Sequence, residues 1–283
     1  MVRRLVLIAA LLTCVTAYAI ENIVWIDFTQ PIELSGGTWR NVPTGGGGPT
    51  NWYDIYPDYE YTVLFARFDS ANPLTNDAAN AVQAELVDPG GGAAAAYTNG
   101  MVTYGGGDYT DCGDSFTNYN GATNQNWAIS MWLNKANTAN RCYLSSQLDS
   151  SNGEINHQAT ANGSGSSWGL DGMGEGSWGI ITNAPANEWI HYIVTFNQVP
   201  GSGTDTGCYT NGVRIYNKAL LGNHFMGVAG APLYIGARPW PGSLLGSVAS
   251  ADDVIIFVYS AGDTNHMDDA KALALSEVPR SSN

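Results

Sequence analysis

Short β-rich runs separated by turn-forming clusters recur along most of this 283-residue sequence, and no other feature limits the fold as much. Tyr61–Phe68, Met101–Tyr104, Trp127–Leu133, Arg141–Leu148, Trp178–Thr182, Trp189–Phe196, Gly212–Tyr216, Leu233–Ile235 and Asp253–Tyr259 are rich in β-branched and aromatic residues, with Gly, Asn, Ser and Pro between them. Such spacing predicts many short strands joined by turns, and hence a sandwich or jelly roll. The alternating helical segments that a parallel α/β fold requires are absent from the pattern. Within Trp189–Phe196, Ile190, Tyr192, Val194 and Phe196 fall on one apolar face, and Trp189, His191 and Thr195 on the other. His191 is therefore expected to pack on a sheet face. Asn211-Gly212 supplies the positive φ angles of a tight hairpin.

One helix is expected, at the C-terminus. Asn265 is placed to cap it, with Asp268 and Asp269 near its positive end and Met267, Ala270, Leu273 and Ala274 on one face. A fainter helical pattern covers Asp77–Val87.

Composition narrows the function. With 44% hydrophobic and 11% aromatic residues, the chain can build a core and is not a disordered segment. Eleven Lys and Arg stand against 25 Asp and Glu, for a formal net charge of −14. Nucleic-acid binding requires a basic patch that displaces counterions, so nucleic acid is excluded as a partner, and an anionic membrane surface is disfavoured for the same reason.

The first 19 residues read as an export signal: Arg3 and Arg4, an apolar run from Leu5 to Val15, then Ala17-Tyr18-Ala19 as a cleavage site. That apolar run is too short to span a bilayer, so no membrane insertion is expected after cleavage, and the product is secreted or held at the cell surface. Residues 20–58 form an N-terminal β-segment, with Ile23-Val24-Trp25-Ile26-Asp27-Phe28, followed by a linker containing Gly45–Gly48. Residues 59–278 form the main domain and 279–283 a tail. Cys112, Cys142 and Cys208 remain after export, and an oxidising compartment favours one bridge plus one buried thiol, with three pairings open.

Seven sequence markers in order resemble a laminin-G-like, concanavalin A-like domain of the bacterial secreted type. They are Leu64-Phe65-Ala66-Arg67-Phe68-Asp69, Tyr109-Thr110-Asp111-Cys112-Gly113-Asp114-Ser115, Trp127–Leu133, Trp189–Phe196, Tyr209-Thr210-Asn211-Gly212, Tyr234-Ile235-Gly236, and Asp252-Asp253-Val254 followed by the helix. The resemblance implies an all-β fold: a two-sheet antiparallel β-sandwich (jelly roll), concanavalin A-like, with a short C-terminal helix. It also implies a structural calcium ion where the first and last strands meet, with Asp69 and Asp252 as its ligands. Asp253, one residue on, is expected to point to the opposite face.

Catalytic signatures are weak when read physically. Gly165-Ser166-Ser167-Trp168-Gly169 has the spacing of a nucleophile elbow but lies in a Gly/Ser stretch with no helix after it. Gly174-Glu175-Gly176-Ser177-Trp178-Gly179 opens no dinucleotide-binding helix, and Glu154 with His157 is too few ligands for zinc. Glycoside hydrolysis needs two carboxyl groups flanking the bond, and no strand carries such a pair at two-residue spacing. No catalytic residue is therefore assigned. Trp240, Trp168, Trp178 and Tyr209 lie in or beside turn-rich stretches, where exposed rings stack on sugars. The expected function is a secreted, non-enzymatic binding or adhesion domain for glycans or surface polymers. Two alternatives are a self-associating surface subunit using Ile20–Phe28 as an added strand, and a glycoside hydrolase with an unrecognised site.

Overall fold

Two compact units divide the chain between Trp52 and Tyr53. The structure, a computed structural model, describes residues 32–35, 38–41, 51–69, 72–81, 85–88, 95–98, 100–104, 109–113, 126–135, 141–147, 153–162, 165–170, 178–182, 187–199, 203–220, 232–236, 239–240, 243–244, 249–259 and 264–281. At 32–41, 104, 135, 141–182 apart from Leu144, 198–206, 216–220 and 239–249 the description concerns backbone alone. In the first unit, β1 (Ile32–Ser35) and β2 (Thr38–Asn41) form an antiparallel pair with Ile32 opposite Asn41. The segment Ile20–Phe28 and the glycines 45–48 lie outside the described residues.

The second unit carries β3 (Thr62–Ala66), β4 (Ala96–Thr98), β5 (Met101–Tyr104), β6 (Thr110–Asp111), β7 (Trp127–Lys135) and β8 (Arg141–Gln147). Next come β9 (Gly153–Asn162), β10 (Gly165–Leu170), β11 (Trp178–Thr182), β12 (Trp189–Val199), β13 (Gly203–Thr210) and β14 (Val213–Leu220). Last are β15 (Tyr234–Ile235), β16 (Pro239–Trp240), β17 (Ser243–Leu244), β18 (Ala249–Val258) and helix α1 (Asp269–Glu277). One sheet has the order β11-β10-β9-β8-β15-β6. The larger has the order β14-β13-β12-β7-β18-β5-β4, with β3 also pairing to β18. Among the described residues the second unit is thus all-β and antiparallel, two large sheets and one short α-helix with the small β16–β17 pair beside them, as the turn-punctuated pattern predicts. Among the described residues no helix is long and apolar enough to cross a membrane.

Alternation explains the layers. Tyr192, Val194 and Phe196 of β12 and Trp127, Ile129, Met131 and Leu133 of β7 face inward, where they meet Leu144 and Ile235 of the smaller sheet. The Trp127 and Phe196 rings, opposite each other in the ladder, stack at 3.7 Å. Ile193, Ile255 and Phe257 point the other way, to a second core closed by Tyr56, Met267, Ala272, Leu275 and Val278. Both faces of the central strands are therefore buried, which is why they read as continuous apolar runs rather than clean alternation. Asn211 and Gly212, at φ 48° and 76°, make the β13–β14 turn. A Cβ on Gly212 would lie 2.9 Å from the Leu273 Cα, so the turn also sets how close α1 approaches.

Several sequence expectations are corrected. The strands Gly153–Asn162, Gly165–Leu170 and Gly203–Thr210 escape the hydrophobic pattern, because they are rich in Gly, Ser, Thr and Asn and are held by pairing on both sides. The helix cap is Asp268, whose side chain accepts from the Lys271 N–H at 2.9 Å, and not Asn265. The later start rotates the buried stripe to Ala272 and Leu275, leaving Leu273 48% exposed. No helix forms in the described part of 77–87; Thr75 bridges Glu85, and the Asp77 and Asn80 N–H groups donate to β3 carbonyls. Cys112 and Cys208 are free thiols sealed in the core, so the expected bridge does not form through either.

Candidate functional site

The smaller sheet has a core side fixed by Thr110, Ile235 and Leu144, all fully or almost fully buried. These three are ladder partners, and the row continues from Leu144 to His157, Leu170 and Trp178. One residue along every strand, the rows belong to the opposite, outward side. The first outward row runs Val87, Asp111, Tyr234, Ser145, Asn156. Neighbouring rows hold Gln158, Gly169 and Gly179, then Thr160, Ser167 and Thr182. Among the residues of this face whose side chains are described, Asp111 is the carboxylate, with Val87 and Tyr234 in its row.

At its edge stand two half-buried tyrosines. Tyr109 precedes buried Thr110 and Tyr234 lies between buried Leu233 and Ile235, so both are turned outward. Their rings meet edge to face, 4.9 Å apart at 83°. Asp111, opposite Tyr234 in the ladder, is fixed by its own neighbours: its Oδ1 accepts from the Gly113 N–H at 2.7 Å, and its backbone exchanges two hydrogen bonds with Val87. Partial burial, then Asp111, then Tyr109 push the Tyr234 hydroxyl up to about 12, so it remains a neutral donor and acceptor at ordinary pH. The site offers an aromatic ledge and a carboxylate acceptor. The signal was present in the sequence as Tyr109 and Asp111 flanking Thr110, but these residues served there only as fold markers.

The residues expected to bind ligand are distributed differently. Tyr209 is fully buried and presents no exposed ring. Its hydroxyl donates to Asp269 Oδ1 at 2.8 Å and accepts from Arg214, whose guanidinium lies 4.8 Å over the ring, so the cluster fastens α1 to the sheet. Trp178 stands opposite Leu170, and Trp168 stands two positions before Leu170, so the register carries both positions in rows on the Leu144 side. Trp240 is opposite Ser243 in the β16–β17 pair. The side chains of these three tryptophans lie outside the description.

The back of the larger sheet holds the remaining candidates. His191 is buried, its Nε2 lies 2.8 Å from Ser130 Oγ, and its ring stacks on Trp132 at 4.8 Å. Burial pushes the imidazole down to about 3, so it stays neutral and is poorly matched to general-base work near neutrality. This agrees with the packing role expected for it. A bulge between Asp252 and Ile255 corrects the expectation that Asp252 and Asp253 diverge. Asp252 pairs with Trp132, which shares the outer face with His191, while Asp253, at φ 45°, reaches Tyr56 of the outer core. Both buried carboxylates therefore turn to one side. Burial raises Asp253 to about 6, against hydrogen bonds from Ser281 and the nearby Arg67 charge that pull it down.

Residues 104–260 match the family described as the Concanavalin A-like lectin/glucanases superfamily. The chain belongs to that superfamily. Among solved structures, this concanavalin A-like domain is similar to domain 4 of an extracellular GH43 arabinanase from Geobacillus stearothermophilus, in complex with arabinotriose, at 15% identity and TM-score 0.53, over 76% of this chain and 98% of that one. It is similar to the botulinum neurotoxin serotype D binding domain at 14% identity and TM-score 0.53, over 77% of this chain and 51% of that one. A Trypanosoma rangeli sialidase mutant displaying trans-sialidase activity aligns at 12% identity and TM-score 0.54, over 76% of this chain and 32% of the enzyme. At these identities the likeness concerns the fold. No curated protein matches the sequence.

Proposed function

We propose that this protein is an exported, non-enzymatic carbohydrate-binding or adhesion domain, and that the outward face of the smaller sheet is its binding surface. The observation that carries the reading is the half-buried Tyr109–Tyr234 pair beside Asp111 on the outward face of the sheet. Sugar rings present C–H faces to aromatic rings and hydroxyls to carboxylates and amides, so the combination suits them. Gly169 opposite Gly179 removes two side chains from the floor and lets a ligand approach the backbone. The arabinotriose complex of the similar arabinanase domain is consistent with this reading. Binding is favoured over hydrolysis because glycoside cleavage needs two carboxyl groups about 5–10 Å apart across the bond, and among the residues whose side chains are described Asp111 is the one carboxylate in the row with Tyr234.

Calcium belongs to the same proposal. Hard cations take carboxylate and carbonyl oxygens, and pairing of Ala66 with Val254 brings the end of β3, which leads to Asp69, beside the bulge that holds Asp252. Asp69 and Asp252 are the residues that would hold the ion, and its role there would be to brace β3 against β18.

The test is a pull-down of the full chain against insoluble and immobilised polysaccharides, comparing wild type with Tyr234→Ala and Tyr109→Ala. Retention of the wild type on at least one polymer, weakened about tenfold or more in each variant (about 1.4 kcal/mol), supports the site. Equal retention of wild type and both variants, with unchanged near-ultraviolet circular dichroism, would place binding elsewhere.

A further inference from the structure

We infer that the ledge formed by Tyr109, Tyr234 and Asp111 takes a cationic sugar, a glycan whose units carry free ammonium groups. This inference rests on the carbohydrate reading above and names the class of ligand that the same site selects.

The two rings supply the first part. Tyr109 and Tyr234 stand 4.9 Å apart at 83°, so their π faces look in two nearly perpendicular directions. A cation resting against such a corner comes within about 6 Å of a ring centroid over a wide range of approach, and at that distance the negative face of the ring attracts it. Burial first, and then Asp111, hold the Tyr234 hydroxyl high and therefore neutral, so it adds an acceptor at the same corner.

The carboxylate supplies the second. Asp111 is the ladder partner of Tyr234, and Val87 bridges Asp111 from the other side, so the three stand in one outward row. Val87 is 49% exposed. The Asp111 carboxylate is thus flanked by an apolar side chain and an aromatic ring, which exclude water from its sides, and an ion pair made there is screened less than one in bulk solvent. Its orientation is set by the Gly113 N–H, which donates to Oδ1 at 2.7 Å. A carboxylate accepts several hydrogen bonds, so this one does not exhaust it.

An ammonium at this corner meets a negative charge and a π face together. A hydroxyl or acetamido group in the same place meets a hydrogen-bond acceptor but gains neither the ion pair nor the cation–π attraction. At longer range the formal charge of −14 on the chain draws cations toward it. A lysine-bearing peptide presents the same ammonium on a flexible stem whose rotamer freedom is lost on binding. An amino sugar carries it on a rigid ring whose C–H face can lie against a tyrosine, and the ledge favours that ligand.

Isothermal titration of the full chain at low ionic strength is the measurement, with the tetramer of glucosamine, the tetramer of N-acetylglucosamine and tetralysine as probes. Wild type should bind the glucosamine tetramer about tenfold or more tighter than the N-acetylated one. Asp111→Asn keeps the Oδ1 that accepts from Gly113 and removes the charge, so it should bring the two sugars within about twofold of each other. Tyr109→Ala leaves Asp111 in place and should narrow the gap by removing one π face, and Tyr234→Ala should weaken both sugars. Glu277→Gln removes an equal charge from α1, behind the larger sheet, and should keep the wild-type gap. An equal narrowing in Asp111→Asn and Glu277→Gln would trace the preference to overall charge and overturn the inference. Equal or tighter binding of the N-acetylated tetramer by wild type, weakened in Tyr234→Ala, also overturns it while leaving the carbohydrate site standing. Tetralysine bound as tightly as the glucosamine tetramer, with the same loss in Asp111→Asn, rejects the sugar as the ligand. Wild type that binds neither tetramer but is retained on a polysaccharide in the pull-down above overturns this inference alone; failure in both experiments removes the two readings together.

Discussion

Asp253 and Ser281 lie 28 residues apart, and the carboxylate of the first accepts both the backbone N–H and the hydroxyl of the second. Arg67 Nε also donates to Ser281 Oγ, at 3.2 Å, and the Tyr56 hydroxyl donates to Asp253. One buried acid thus joins a strand bulge, the segment before β3 and the end of the chain. Beside it, the Arg280 guanidinium lies 4.3 Å over the Trp189 ring. The tail after α1 is fastened at successive residues.

The acid–base consequence for Asp253 has a definite sign. Its carboxyl is raised from 3.8 to about 6 on folding, so the folded state takes up the proton first. Its contribution to stability grows as pH falls from above 6 toward 4, by at most about 3 kcal/mol. Asp253→Asn should be at least as stable as wild type at pH 8 and lose that advantage near pH 4.5. Scanning calorimetry across this range checks it; a variant equally destabilised at both pH values would contradict the assignment.

His191 acts in the opposite sense over an overlapping range. Its imidazole is lowered from 6.5 to about 3, so only the unfolded chain takes up a proton between those values. Stability from this group is present above pH 6.5 and declines below it, by about 1.4 kcal/mol per pH unit at the steepest. His191→Gln, which keeps a hydrogen-bonding group for Ser130, should flatten the acid limb of the stability profile measured by urea unfolding.

Gly212 should tolerate no side chain. Its φ is 76°, and an added Cβ would meet Ser276 Oγ as well as the Leu273 backbone. Gly212→Ala is expected to cost about 2–4 kcal/mol, through backbone strain and displacement of α1. The midpoint of urea denaturation reads this directly, and a shift of less than ~0.5 kcal/mol would show that α1 moves away freely.

Cys112 and Cys208 should be inert thiols. Both are buried in the inner core, and burial pushes each thiol well above its ordinary range. Native protein treated with iodoacetamide should leave both unmodified by mass spectrometry, and both should be labelled in denaturant. Labelling of either in the native state at the rate of an exposed thiol would mean that the core opens.

Calcium at Asp69 and Asp252 is tested by thermal unfolding. Under that proposal, calcium at a hundred times its dissociation constant stabilises the fold by about 2.7 kcal/mol. Chelator should remove the gain, and Asp69→Asn should no longer respond. A melting temperature indifferent to calcium and chelator would exclude the ion.

Local chemistry carried much of the architecture. Apolar and aromatic runs at Trp127–Leu133 and Trp189–Phe196 are strands because residues of that kind pack on a pleated, buried surface, and Trp178–Thr182 is a strand as its β-branched and aromatic content predicts. Asn211-Gly212 is a hairpin turn because its backbone angles favour those two residues. Charge and the class of fold likewise follow from order and composition. What the sequence left open was everything that depends on which strands become neighbours. The polar strands β9, β10 and β13 exist because partners on both sides complete their hydrogen bonds, a contribution no local propensity contains. The bulge at Asp252–Asp253 overrides simple alternation and turns two acids to one face. Tyr209 is a core pillar instead of an exposed ring because α1 folds back over it. Tyr109, Asp111 and Tyr234 are more than a hundred residues apart in part, and only the pairing of β6 with β15 brings them to one ledge. The sequence by itself determined that this chain builds a β-sandwich with a charge-poor, acidic character. Tertiary pairing alone decided which of its aromatic residues fill the core and which turn outward, because facing is a property of register between distant strands.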